Sequence, residues 1–594
     1  MSKYKLLTAV TIGLFCLLFV RLGHLQLVRG EQYLQMADAN RFHTQVLPAP
    51  RGVLLDRYQQ PLVVNKKAYF HHLDQAAVYS KKEPVSREKA MELMAQNSDQ
   101  ISYQLRRYYQ YPWALAHALG YLAPVTLEEV KTGQVSLDSW TGKLGLERQF
   151  EQQLRGQPGK QIYEVDTWGK KLRLIEQTEP RAGLDLPTSL DPYLSQRAYQ
   201  ALGDNKGAVV ILDAASGQVL SLVSKPGFSA NDLSFARDEL GAEQARQQAI
   251  SNYFQDENKV FFNRAVSGAY PPGSVFKLIT ALAGLDSQSL DASRTVLDEG
   301  ILKVGDYQYA NWYYTQYGRT EGSVDLVKAI ARSNDIYFYK AAEWTGPDKL
   351  AEYGRLFGLG QTTGIELAPE AKGLMPDPAY KEQTLGERWY LGNTYHLGIG
   401  QGDILVSPVQ LAGVVQAIAN QGDLCQPSLI YSQEQTSCHG LGFDQSDLDL
   451  VLEGMLAACS PGGTAYPLFE FNQERDASLS PLAQIERGRV ACKTGTAEFG
   501  PADERGYRQT HGWLAAIVGV NRERLEEQAS QVESCKADEL RCQWLKSVVE
   551  HGFPREIVIL TLVESDDNQP FKEGSRDAGP VVEKIISWMR DEAS

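Results

Sequence analysis

Gly268–Leu285, GAYPPGSVFKLITALAGL, decides how the remainder of this chain is read. It opens with a rigid turn, Tyr270-Pro271-Pro272-Gly273, and continues as an apolar run to Leu285 that reads as one helix. Ser274 stands where that helix begins, and Lys277 follows three residues later. Residues three apart share a helix face, so the lysine amine can reach the serine hydroxyl. The helix N-terminus adds partial positive charge and unpaired N–H groups beside that hydroxyl. A weak nucleophile is activated in this way, by a base within reach and a field that favours an oxyanion. The spacing alone has little weight, since average composition gives roughly two S-x-x-K matches by chance in a chain this long. Taken singly, Ser274 reads as a helix cap and Lys277 as a solvent-facing helix lysine.

At 594 residues the chain exceeds one hydrophobic core, and two or three folded units are expected. Its net charge of −14 argues against nucleic acid as a partner. The seven cysteines contain no C-x-x-C pair, and the nine histidines no H-E-x-x-H, so neither a metal nor a cofactor is called for.

Toward the N-terminus, the apolar stretch Leu6–Val20 follows Lys3 and Lys5. Arg21 and His24 can snorkel and extend it toward Leu27, giving a transmembrane anchor over 6–27 and a cytoplasmic tail over 1–5. A cleaved signal peptide is the rival reading, but no small-x-small site follows the apolar run. Two lysines before the anchor place the tail in the cytoplasm and the remainder outside. Residues 28–182 form a mixed, polar, irregular module. Arg51–Arg57 is a short strand after a Pro-Arg-Gly turn, Ala114–Tyr121 a short helix, and Gly142–Leu154 a helix closed by Arg155-Gly156. No nucleophile and base are suggestively spaced there, and a structural role is expected.

Residues 183–594 carry the other signals. Asp191–Leu202 reads as a helix and Gly207–Ser224 as a β-hairpin turning at Ala214–Gly217. After a helical insert come three strands, Arg489–Thr496, His511–Val520 and Glu556–Glu564, and a last helix, Pro580–Met589. The expected fold is α/β in the α+β sense, with helices packed on an antiparallel sheet. Within it three polar signals follow in order: Ser274/Lys277, Ser333/Asp335 and Lys493-Thr494-Gly495-Thr496. Gly495 inside a strand is costly unless something approaches the backbone closely. Lys493 and the threonine hydroxyls suit a carboxylate, and an extended peptide could add itself beside that strand.

This ordered set, S-x-x-K, S-x-N/D and K-T-G, resembles a monofunctional class B penicillin-binding protein, a D,D-transpeptidase of peptidoglycan synthesis. Arg51–Arg57, Gly142–Glu147, Arg155-Gly156, Asn263-Arg264-Ala265, Gly400-Gln401-Gly402 and Gly574–Ala578 match that family's further motifs. The resemblance implies a penicillin-binding transpeptidase domain over 183–594 on a pedestal, or dimerisation-type, domain over 28–182. It implies Ser274 as the nucleophile toward a D-Ala-D-Ala terminus, Lys277 as base, and Ser333 as a proton relay oriented by Asp335. Lys493 would polarise Ser333, Thr494 and Thr496 would bind the substrate or penicillin carboxylate, and Gly495 would complete that edge. The N–H groups of Ser274 and Thr496 would form the oxyanion hole. The implied partners are stem peptides, β-lactams, the membrane, a membrane glycosyltransferase of the shape/elongation/division family and other elongation-complex proteins.

Two features refine the resemblance. S-x-D in the middle motif and Tyr270–Gly273 are similar to the elongation-type members, penicillin-binding protein 2, rather than the division type. Residues 521–555 form a long stretch between two strands that the family usually joins briefly. The alternatives are a D,D-carboxypeptidase or β-lactamase, which share the motifs, and a non-catalytic receptor of β-lactams or wall fragments.

An outward-facing chain can hold disulfides, and Cys425 with Cys438 flanks a hairpin-like stretch suited to one. Residues 524–550 lack Gly and Pro and read as mostly helical. On one continuous helix Cys535 and Cys542 would lie about 10.5 Å apart along the axis, too far for a bond. They are expected to be unbonded to each other and packed as small apolar residues.

Overall fold

A computed structural model describes residues 2–33, 41–72, 82–96, 101–131, 139–166, 171–234, 242–432, 437–473, 478–504, 506–530 and 539–590. The first helix, α1 (Ser2–Gly23), continues through a π-turn to Val28. Lys3–Val28 is long and apolar enough to cross a membrane, and none of it is buried against the protein.

The expected hairpin is β1 (Gly207–Asp213) and β2 (Val219–Lys225). Strands β3 (Val490–Phe499), β4 (Gln509–Gly519) and β5 (Glu556–Val563) join it in a five-stranded sheet of order β2-β1-β5-β4-β3. Every pairing is antiparallel, and β1 lies against β5 in the register Gly207↔Val563 to Asp213↔Ile557. Both faces are covered. Helices α2 (Lys277–Asp286), α3 (Leu326–Ala331) and α4 (Asp335–Thr345) lie on one side, with α5 (Gly579–Arg590) on the other. Val210, Trp513, Ala515 and Leu560 point into the first layer, Ile211, Leu514, Ala516 and Ile559 into the second. Burial on both faces explains why these strands read as nearly unbroken apolar runs. Helix α2 is buried on every side from Lys277 to Leu285, as its all-round hydrophobicity requires.

Before Gly183 two three-stranded sheets appear that the sequence reading missed. One joins Phe42–Leu47, Gly159–Val165 and Lys171–Thr178; the other joins Lys82–Val85, Val63–His72 and Ile101–Tyr109. Lys171–Thr178 is exposed along its whole length, so no buried face imprints an alternating pattern on it. The two motifs of this region meet in one buried ion cluster. Glu147, fully buried, accepts from Arg51 Nε and Arg107 Nε at 2.7 Å each, and a second Arg51 nitrogen reaches Glu151 at 2.7 Å. Leu54, Leu115, Leu146 and Leu154 belong to the same core as Leu190, Val210 and Leu222, and Leu54–Leu55 pairs in parallel with Leu186–Pro187. Residues on the two sides of Gly183 therefore share one apolar interior.

Cys425 and Cys438 form the expected disulfide, and a second, unforeseen one joins Cys459 to Cys492. Cys542 is buried as expected, but it is not the unbonded apolar residue that the sequence reading made it, because it is disulfide-bonded. Helices span Arg522–Ser530 and Leu540–His551, as the propensity predicts, but the premise of one continuous helix fails at Glu539, whose backbone is extended, and Cys542 sits in the first turn of the second. Cys535 lies outside the described residues, and with it the expectation about the 535/542 pair.

Candidate active site

A short 3₁₀ turn, Gly273–Phe276, carries Ser274, and α2 begins at Lys277. Positions three apart eclipse on a 3₁₀ turn, which aligns the two residues more closely than an α-helix would. The turn is pinned on several sides. Gly273 N donates to Gly400 O at 2.9 Å, Tyr270 and Val406 exchange backbone bonds at 2.8 Å, and Trp513 Nε1 donates to Pro271 O at 3.0 Å. Tyr270 and Arg264 both bond the Glu564 carboxylate, which ties the Asn263-Arg264-Ala265 motif to the end of β5. Gly495 answers to this packing: a Cβ there would meet Val275 Cγ2 at 3.1 Å and Pro272 O at 3.2 Å. What approaches its backbone closely is the turn that carries Ser274.

Ser333 links α3 to α4 with φ +51°, a left-handed conformation that costs a non-glycine residue about 1–2 kcal/mol. Asn334 caps α4 and Asp335 opens it. Here the three signals meet. Lys493 Nζ donates to Ser333 Oγ at 2.7 Å and to Thr494 O at 2.8 Å. Lys277 Nζ donates to Asp335 Oδ1 at 2.7 Å, Ser333 O at 2.8 Å and Ser333 Oγ at 3.3 Å. One hydroxyl thus lies between two amines drawn from chain positions 216 residues apart. Both lysines have no exposed surface, so Lys277 is not the solvent-facing residue its position suggested. Ser274 is partly exposed, and among the described residues its hydroxyl makes no side-chain hydrogen bond. Asp335 Oδ2 accepts from Trp312 N at 2.9 Å.

Burial pushes the Lys277 amine below its ordinary value, and Asp335 opposes that shift. Lys493 is pushed well below, first by burial and then by repulsion from Lys277, with only a weaker pull from Asp335. Two amines and one carboxylate share this interior. This arrangement favours a positive charge on Lys277, beside Asp335, over one on Lys493.

Thr496 is exposed at the open edge of β3, while Thr494 is buried and its hydroxyl shares a 2.8 Å bond with Thr464 Oγ1. Sequence reasoning missed Thr464 and Ser575, whose Oγ donates to Thr464 O at 2.7 Å. It also missed Asn311, Trp312 and Asp298 behind Ser333, which carry no motif of their own. Gln401, from Gly400-Gln401-Gly402, donates to Thr496 O at 3.3 Å. Among the described residues no three or more His, Cys, Asp or Glu gather as a metal site.

The penicillin-binding protein transpeptidase domain model matches residues 207–525, and the penicillin-binding protein dimerisation domain model matches 74–188. The peptidoglycan D,D-transpeptidase MrdA of Acinetobacter baumannii is 30% identical over 549 residues, covering 82% of this chain and 80% of its own. A solved chain described under the structural coordination of polymerization and crosslinking by a peptidoglycan synthase complex superposes with TM-score 0.71 at 26% identity, covering 100% of this chain and 98% of that one. Penicillin-binding protein 2 of Helicobacter pylori, solved in complex with MreC, shares the fold with TM-score 0.70 at 22% identity, over 93% and 99%. The chain belongs to the penicillin-binding protein transpeptidase family, and within it to the elongation-type, penicillin-binding protein 2 branch.

Proposed function

We propose that the protein cross-links peptidoglycan stem peptides as a D,D-transpeptidase in cell elongation, through an acyl-enzyme on Ser274. The observation that carries this is the meeting of Lys277 and Lys493 on the Ser333 hydroxyl beside a partly exposed Ser274. A terminal D-Ala carboxylate, or that of a β-lactam, docks on Thr496 and Thr494 along Gly495 and next to Lys493. Its charge favours an ammonium at Lys493, and that ammonium in turn repels one at Lys277. A proton then passes from Lys277 to Ser333 Oγ while the Ser333 proton moves to Lys493. Neutral Lys277 takes the proton of Ser274 Oγ as that oxygen attacks the D-Ala carbonyl. The oxyanion is met by the N–H groups of Ser274 and Thr496. The leaving D-Ala amine is protonated through Ser333, and Asp335 holds Lys277 in register throughout. The amine of a second stem peptide then resolves the ester, whereas a β-lactam leaves it trapped.

The α1 helix anchors the protein in the cytoplasmic membrane, with a short cytoplasmic tail and the catalytic domain on the outer side. Residues 28–182 act as a pedestal for 183–594. A membrane glycosyltransferase supplies the glycan strands, and elongation-complex proteins engage the pedestal. MreC bound to the Helicobacter pylori relative, and a relative solved within a peptidoglycan synthase complex, support this. Incubation with lipid-linked peptidoglycan precursor, a polymerising glycosyltransferase and the purified protein should yield cross-linked muropeptides and free D-alanine. The Ser274→Ala protein should yield neither, and cross-linking that persists in that variant overturns the proposal.

A further inference from the structure

Behind the Ser333 turn lies a buried carboxylate that belongs to none of the three motifs. Asp298 ends the short strand Val296–Asp298 and is 2% exposed. It accepts four hydrogen bonds. Gly300 N reaches Oδ1 at 2.7 Å; Asn311 Nδ2 and Asn334 Nδ2 reach Oδ2 at 2.7 Å each; Glu321 N reaches Oδ2 at 3.2 Å. Asn311 and Asn334 have no exposed surface, and each spends its other end on the catalytic turn. Asn334 Oδ1 accepts from Tyr337 N at 2.9 Å and caps α4. Asn311 Oδ1 accepts from Asp335 N at 3.1 Å, and the next residue, Trp312, donates its N–H to Asp335 Oδ2.

An amide side chain has a donor end and an acceptor end, and its orientation is fixed by whichever neighbour is strictly one or the other. An ionised carboxylate accepts only, so Asp298 turns both amide nitrogens toward itself and both amide oxygens toward α4. We infer that Asp298 is a positioning residue for the acylation reaction, orienting Asn311 and Asn334 so that Asp335 is held on Lys277. The inference rests on the transpeptidase reading above and deepens it. In Asp298→Asn one oxygen and one NH2 group face four donors. With its NH2 at the Oδ1 position it opposes the Gly300 N–H and pushes the amide off the pair; with its NH2 at the Oδ2 position it opposes both asparagines, and one of them must flip or lose its bond. A flipped Asn311 presents NH2 to the Asp335 N–H, and a flipped Asn334 uncaps α4. Either change loosens Asp335 from Lys277.

The groups facing Lys277 are Asp335 on α4, Lys493 on β3, the Ser333 hydroxyl and the Phe338 ring at 5.5 Å. Asp335 is the one anion among them and the main support of the ammonium, with the Ser333 carbonyl and the Phe338 ring adding to it. Loosening Asp335 makes Lys277 easier to deprotonate while leaving it poorly aimed. The test measures the second-order rate of Ser274 acylation by a fluorescent penicillin from pH 5 to 9, with the full-length protein in detergent. Melting temperature is recorded in parallel. Asp298→Asn should lower the acylation rate between about 10- and 100-fold, the range a misplacement near 1 Å produces. It should also move the acidic limb of the profile to lower pH. Asp191→Asn is the matched control. Asp191 is equally buried and accepts from Tyr58, Leu194 and Trp544, far along the chain from the catalytic turn. Whatever it does to the melting temperature, it should leave the limb in place. Should Asp298→Asn fail to fold, Asn311→Ala, which removes the same link to Asp335, is expected to show the same slowed rate and shifted limb. A folded Asp298→Asn protein with the wild-type rate, or a slowed one whose limb stays put as in Asp191→Asn, overturns the inference. Wild-type protein left unacylated at Ser274 would instead overturn the underlying reading.

Discussion

Two buried charge clusters in this protein make an instructive pair. In the pedestal, Arg51 and Arg107 face Glu147 and Glu151, two cations against two anions. The guanidinium forks point at fixed acceptors, including Gly52 O and Asn65 Oδ1, and although burial pushes the Glu147 carboxyl up, Arg107 and Arg51 outweigh it and hold that carboxyl below the usual range. In the transpeptidase domain, Lys277 and Lys493 share a single nearby carboxylate, Asp335. The first cluster is balanced and built from groups that do not exchange protons near neutrality. The second has an excess amine and a hydroxyl between its two nitrogens, so a proton there has somewhere to go. Buried charge alone says little about function. Imbalance together with a relay atom distinguishes the chemical cluster from the structural one.

The largest effect that bears on this contrast is expected from Lys493→Met. It should slow acylation about 10²–10⁴-fold, the usual worth of a positioned proton-transfer group. Because it removes the buried amine farthest from a carboxylate, it should not lower the melting temperature. Glu147→Gln should do the reverse. It leaves two guanidiniums short of an anion and should cost about 3–5 kcal/mol of stability in denaturant unfolding. The folded fraction should acylate at the wild-type rate. The sign of the pH dependence follows, because a depressed carboxyl stabilises above its ordinary value of 4.5 and loses that contribution as pH falls through the lower folded value. Wild-type protein should show that acid loss and Glu147→Gln should not.

Gly495→Ala tests the contact between the clefts' two walls. Its Cβ would press on Val275 and Pro272, so it should cost about 1–3 kcal/mol, the usual penalty for overpacking. Acylation should slow by displacement of the nucleophile turn. The smallest effect is expected at Asp56, which burial raises from 3.8 to about 6. An acid raised in this way contributes stability below its unfolded value and loses it as pH rises through the folded one. Asp56→Asn should therefore be more stable than wild type at pH 7–8 by about 1–3 kcal/mol. The difference should vanish near pH 4, and equal curves across the range would contradict it.

Much of this was legible in the sequence because the groups proposed as catalytic are tied to backbone features that leave a signature. Tyr270–Gly273 needs its prolines and glycine to form the turn, and Gly495 must be small where that turn crosses β3. The central strands betray themselves by apolar runs, since both faces are buried. The pedestal strand Lys171–Thr178 left no such mark, being exposed along its whole length and needing no apolar residue. Asp298 and Asn311 were illegible for a different reason. Their work is done through hydrogen bonds to residues 13 to 36 positions away, and no periodic pattern records that. The propensity reading of 524–550 holds for both helices described there, but the extended backbone at Glu539 starts the second helix afresh, and the spacing argument about Cys542 needed one continuous helix.

The central claim is that a ligand carboxylate, by charging Lys493, frees Lys277 to act as the base for Ser274. The most direct measurement compares Ser274 acylation by a penicillin and by its methyl ester across pH 5 to 9, with the adduct located by peptide mass mapping. The penicillin should acylate faster, and its acidic limb should lie at lower pH than that of the ester, because only the free carboxylate draws the charge onto Lys493. Coincident limbs for the two compounds, or an adduct on a residue other than Ser274, would contradict it.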